Sequence, residues 1–229
     1  EKLKSLAEIE TYDHWASADW WDYSKVKGDC AVHHPQYCVI NVGDRLDRTA
    51  QLKPMMYLRG IQQIFIDMAM NPKIVEAMRD RIVSYFIEYN HRVFKAADGE
   101  IDIFMMGDDI GAQTGPLLSL DMWRKFFKKG FKTYIDIAHQ YGIPVMYHTC
   151  GDVRQFIPDF IECGLDILQS LQPKATNMDI KKLKPLVFTP DTQDYYNIGK
   201  FVAKVFSAGK RVLTGESLFM TTFTGGGPG

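Results

Sequence analysis

Three short apolar runs each end in polar residues and alternate with helical patterns, and this alternation constrains the fold more than any other feature. Ile101–Met106 (IDIFMM) runs into Gly107-Asp108-Asp109. Pro144–His148 (PVMYH) runs into Thr149-Cys150-Gly151, and Leu165–Leu171 (LDILQSL) runs into Gln172-Pro173. An earlier run, Tyr37–Val42 (YCVINV), stops at Gly43. Runs this short, bounded by turn residues, read as strands, the earliest of them as a buried one. Between them the period changes. Met55–Ala97 reads as two helices divided at Asn71-Pro72, with Asn71 as N-cap and Pro72 at the first helical position. Ile74, Met78, Ile82, Phe86, Tyr89 and Val93 recur there at helical spacing. Ser119 caps one long helix carrying Trp123, Phe127, Phe131 and Ile135, which Gly142 ends. Val153–Glu162 is another helix, stopped by Gly164. Ile180–Leu183 begins one more, and the aromatic and charged stretch 1–35 holds short helices.

Strands alternating with helices mean βαβ units and a parallel sheet. The expected fold class is α/β, an incomplete (β/α)8 barrel with an atypical C-terminal tail. A doubly wound sheet fits the pattern too, but no glycine-rich phosphate loop follows any strand, which weakens a nucleotide-binding version. In a barrel the C-terminal strand ends carry the active site, and that is where the polar residues cluster. The charge balance narrows the partners. A net charge of -1 gives no basic field for nucleic acid or acidic membranes. No apolar run approaches the roughly 20 residues of a membrane helix. Four cysteines are too few for a disulfide scaffold of 229 residues, and Glu1-Lys2-Leu3-Lys4 does not open a secretory signal. Reduced thiols in a cytoplasm are therefore expected, and they are available to metals.

His148 and Cys150 are the leading metal candidates. Residues two apart on a strand face one side, and imidazole and thiolate are both good zinc ligands. A structural histidine beside an inert buried cysteine is the alternative, and two ligands alone do not complete a zinc site. Asp108 and Asp109 are the catalytic candidates, because adjacent carboxylates repel, which can raise one pKa and supply a general acid or base. Their alternative is a solvated loop with aspartate capping backbone amides. Gln113, Tyr147 and Gln172 are placed as substrate-binding candidates. Cys30, His33, His34 and Cys38 form a second metal-like cluster, but its spacing matches no common zinc template, and a loop before a strand is the better reading. Cys163 reads as a small buried hydrophobe.

From Gly99 to Asp179 the sequence resembles the uroporphyrinogen decarboxylase superfamily. The resemblance is carried by ADGEIDIFMMGDDIGAQTGPLLS, MWRKFF, PVMYHTCGDV, ECGLDILQSLQP and NMD, in that order, and it extends back through Tyr57–Gly60 (YLRG) to cover residues 1–186. It implies a (β/α)8 barrel and one of two chemistries. Decarboxylases of the superfamily remove acetate carboxyls from a porphyrinogen without a cofactor, as a step of porphyrin biosynthesis. Methyltransferases move a methyl group between a corrinoid protein and a thiol-type acceptor, with zinc at a His-x-Cys pair plus a distant Cys. His148 and Cys150 match the pair, so the methyltransferase branch is favoured. No Cys follows Cys163 to supply the third ligand. The alternatives are a cofactor-free decarboxylase, with Asp108 or Asp109 steadying a protonated pyrrole, and a non-catalytic barrel remnant.

The resemblance stops near Val187. Residues 187–229 read as a divergent tail, more like a piece of a β-rich family related in fold to the tryptophan RNA-binding attenuator protein. Ser217–Thr224 is β-prone, ends in glycines, and has no helix after it. A complete barrel takes roughly 250 residues, so an open barrel with exposed strand edges is expected to associate, as a homodimer for instance.

Overall fold

The computed structural model describes residues 3–44, 48–169, 171–179 and 181–183. The expectations for the tail at 187–229 and for a helix start at Ile180 lie outside the described residues.

The N-terminal stretch forms short helices. Ser5 caps α1 (Leu6–Thr11), its hydroxyl accepting the Glu8 amide at 3.2 Å. A 3-10 turn (Ala18–Trp20) and α2 (Val26–His33) follow. Next come β1 (Ile40–Asn41), α3 (Leu52–Arg59), α4 (Ile61–Met70) and the 26-residue α5 (Pro72–Ala97). β2 (Ile103–Gly107) leads into a small antiparallel hairpin, β3 (Gly111–Ala112) and β4 (Gly115–Pro116). The chain continues through α6 (Leu120–Phe126), α7 (Lys128–Gln140), β5 (Val145–His148), a 3-10 turn (Arg154–Phe156), α8 (Ile157–Glu162) and β6 (Ile167–Gln169).

Four strands form one sheet in the order β1-β2-β5-β6, and every pairing is parallel. Neighbours in the sheet are thus neighbours among the crossover strands, the arrangement of a barrel wall. Both faces are covered, as all-parallel sheets require. Val39, Phe104, Met106, Val145 and Tyr147 point into the main core with the helices. On the other face Ile40, Ile103 and Met105 pack with Cys38, Val42, Met146 and Ile167, strand against strand, as in a barrel interior. Residues alternate strictly between these layers, and that alternation decides which polar side chains reach the site.

Two local expectations are corrected. Asn71 precedes α5 as expected, but its side chain makes no cap; its Nδ2 donates instead to Asp67 Oδ1 at 3.0 Å. Asp67 is fully buried and paired with Arg59 at 2.8 Å, so Asn71 helps satisfy a buried carboxylate. The single helix expected after Ser119 is two. Ser119 does cap α6, accepting the Met122 amide at 3.2 Å, but the helix distorts at Phe127, where φ is -119°. Side chains from elsewhere take the carbonyls at that point. Arg79 donates to the Phe126 oxygen and the Gln51 amide to the Phe127 oxygen, each at 3.1 Å. Such donors tilt carbonyls out of the helical ladder and kink it. No helix among the described residues is long and apolar enough to cross a membrane.

Candidate metal centre

The register of the sheet assembles the site. Gly107 at the end of β2 lies opposite His148 at the end of β5, which lies opposite Gln169 at the end of β6. Glycine is required at 107 by close approach, since a Cβ there would sit 2.7 Å from the His148 carbonyl oxygen and 3.0 Å from its Cβ. His148 occupies the inner face with Met146, and its Nδ1 is paired with Gln169 Oε1. An amide oxygen can only accept, so Nδ1 carries the proton and Nε2 keeps its lone pair. Nε2 lies 3.6 Å from Cys150 Sγ and 3.7 Å from Asp109 Oδ1. One ligand atom from each of Asp109, His148 and Cys150 falls within 4.8 Å of the others.

The loop holding these groups is braced by backbone. The Cys150 amide donates to Asp109 Oδ1 at 3.1 Å, and the Ile110 amide donates to Thr149 Oγ1 at 3.3 Å. Gly151, at φ +78°, crosses directly against the hairpin: a Cβ would lie 2.5 Å from the Ala112 oxygen. The Gly151 amide donates to Gln172 Oε1 at 3.0 Å, which also accepts Gln113 Nε2 at 2.5 Å. Gln113 and Gln172, expected separately to bind substrate, are thus brought together and clasp the loop behind Cys150.

The two neighbouring aspartates part company. Asp109 reaches the site and is 45% exposed at its side chain. Asp108 turns away into the core. Its carboxylate accepts the amides of Gln51, Leu52 and Lys53 at 2.7, 3.0 and 2.8 Å, closing the first turn of α3. Burial pushes its pKa up to about 6, against the downward pull of those three amides, and Asp109 adds to the rise. The structure therefore places Asp108 as a structural cap, away from the cluster of Asp109, His148 and Cys150. Tyr147 is likewise not brought to the site. It is 3% exposed on the helix-covered face, packed edge-on against Phe131 and Phe160 at ring distances of 4.9 and 5.2 Å. Its hydroxyl donates to the Asp108 carbonyl at 3.1 Å.

Gln169 belongs to the site without having been singled out in the sequence. Arg48 follows β1, and its Cδ lies 3.3 Å from where a Gly107 Cβ would project. The second cysteine–histidine cluster dissolves: His34 lies between Glu100 and Asp102 at 3.0 and 3.1 Å, and Cys30 is buried, its thiol pushed up to about 11 by desolvation. Cys163 is buried as expected.

The donor set fits zinc. Imidazole nitrogen, thiolate sulfur and carboxylate oxygen are all zinc donors, and three protein ligands with further positions open is the pattern of a catalytic site. Gln169 would then act by fixing the ligand tautomer. Gln169→Ala is expected to weaken zinc binding by about 10–100-fold, measured by competition with a chelator of known affinity.

The family model for uroporphyrinogen decarboxylase (URO-D) matches residues 49–187. The chain belongs to the uroporphyrinogen decarboxylase family. A solved structure, a methyltransferase from Methanosarcina mazei, is similar with a TM-score of 0.50 and 17% sequence identity, over 76% of this chain and 50% of that one. That likeness is one of fold, a partial TIM-like barrel, and the chain spans half the length of the structure it matches. A search of curated proteins finds no match.

Proposed function

We propose that the chain carries a zinc-dependent methyltransferase site of this family, moving a methyl group between a corrinoid protein and a thiol-type acceptor. The observation that carries the reading is the convergence of Asp109, His148 and Cys150 ligand atoms within 4.8 Å at adjacent strand ends. The name of the similar solved structure is consistent with it. Zinc bound there would hold an acceptor thiol deprotonated and nucleophilic at neutral pH. The chain's own residues do the positioning. Gln169 turns the His148 ring so that Nε2 faces the open side. Asp109 holds the Cys150 amide and offers a carboxylate oxygen to the same point. Gln113 and Gln172 fix the loop from behind through Gly151.

The measurement that tests this is zinc per folded chain, for wild type, His148→Ala, Cys150→Ser and Asp109→Asn. Near-stoichiometric zinc is expected in wild type. His148→Ala and Cys150→Ser should each drop it below roughly a tenth, since either leaves too few donors for a site. Asp109→Asn should weaken binding without abolishing it. Folded wild-type protein that takes up no zinc would overturn the reading. Tight binding of a polycarboxylated tetrapyrrole would then favour cofactor-free decarboxylation, with Asp109 as the carboxylate at the reacting ring. Neither property would leave a non-catalytic barrel.

A further inference from the structure

A second concavity lies away from the three ligand groups. It is a cavity of about 210 Å³ between the segment after α1, Asp44 and Arg48 after β1, and helices α3 and α5. Its walls are aromatic and held in place. Trp15 is fixed by its indole N–H, which donates to the Ile9 carbonyl at 3.0 Å. Tyr85 is fixed at both ends of its hydroxyl, donating to Asp44 Oδ2 at 2.6 Å and accepting from Trp21 Nε1 at 3.0 Å. Phe86 is 5% exposed beneath, and Tyr57, 69% exposed, stands at the rim. An aromatic side chain whose polar end is already satisfied offers an arriving ligand only its ring. Such walls therefore select a flat apolar body.

Among the described residues, two arginines and one aspartate line this cavity. Arg48 lines it from the β1 side and Arg81 from α5. Among the described residues Arg81 has neither an ion pair nor a hydrogen bond, so its guanidinium fork is available. The carboxylate at the cavity, Asp44, is 4% exposed, accepts the Tyr85 hydroxyl and sets a negative charge at that wall, so the binding cation is Arg81 on α5. A planar fork of N–H donors beside an aromatic slot matches a carboxylate attached to a ring. The volume has room for one substituted ring.

We propose that this cavity is a binding site for a small aromatic carboxylate, with the ring between Trp15, Tyr85 and Phe86 and the carboxylate on Arg81. The inference stands apart from the zinc reading, because no metal ligand lines the cavity.

The test uses the full chain without added metal, with benzoate as the probe and benzamide and acetate as controls. Calorimetry or ligand-observed NMR should give a benzoate dissociation constant of about 1 mM or tighter, and at least about tenfold weaker binding of benzamide, which lacks the charge. Acetate, lacking the ring, should not bind measurably. Arg81→Leu should weaken benzoate about tenfold. Ala16→Trp, which fills the cavity from its loop wall, should abolish binding, with thermal melts confirming that each variant folds. If Ala16→Trp fails to fold, Arg81→Leu and the control ligands decide alone. Absence of benzoate binding to wild type would overturn the proposal, as would unchanged binding in Arg81→Leu or equal affinity for benzamide. Each of these outcomes leaves the zinc measurements untouched, so the two readings fail separately.

Discussion

Asp108→Ala is expected to destabilise the chain by about 3 kcal/mol, the combined effect of a lost helix cap and buried amides left without an acceptor. The three amides of Gln51, Leu52 and Lys53 have this one carboxylate in common, and it ties the start of α3 to the end of β2. Chemical denaturation at fixed pH measures the loss. Asp108→Asn keeps one carbonyl oxygen and should lose less. The same pair of variants tests the pKa. Burial raises the folded-state value to about 6 from 3.8, so folding favours the protonated form. The stability contributed by this group is therefore fully present below about pH 4 and falls as pH rises through about 6, on the order of 3 kcal/mol in all. Asp108→Asn should remove that component of the pH profile. A profile identical to wild type would show that the three amides, not burial, control the group.

Gly151→Ala is expected to have a comparable effect and, unlike the first, to reach the metal centre directly. A methyl group at 151 would lie 2.5 and 2.6 Å from the Ala112 oxygen and nitrogen, both backbone atoms, at a φ of +78° that L-residues rarely adopt. Neither clash is relieved by a side-chain rotation. The loop after Cys150 must then move off the hairpin, and the contact from Gly151 to Gln172 goes with it. A loss of about 3 kcal/mol or more is expected, together with loss of zinc binding even though all three donor side chains remain. A variant with wild-type stability and metal content would show that the crossing of Gly151 and the hairpin is not what positions Cys150.

The wall of the barrel was legible in the sequence because its signals are local. YCVINV, IDIFMM, PVMYH and LDILQSL each announce a strand by composition, and Ser119, Gly142 and Gly164 mark helix ends through backbone chemistry. The alternation rule that put His148 and Cys150 on one side also sends Tyr147 to the other, and it separates Asp108 from Asp109. Those two assignments were within reach of the sequence; treating adjacent residues as one patch obscured them. Other features depend on distant partners. The kink at Phe127 depends on Gln51, 76 positions away, and on Arg79. The role of Gln169 depends on the register that sets β6 beside β5, which no local pattern specifies.

The three donor groups lie close together along the chain as well as in space. Asp109 and Cys150 are 41 positions apart, at the two ends of one strand–helix–strand crossover, with His148 between them. An ion held by all three would clamp a single crossover, stabilising that unit by mass action when bound. Metal affinity would therefore report chiefly the integrity of that segment and of its contacts with Gln169 and Gln172, and would fall with local opening of β2 or β5 before the rest of the sheet came apart.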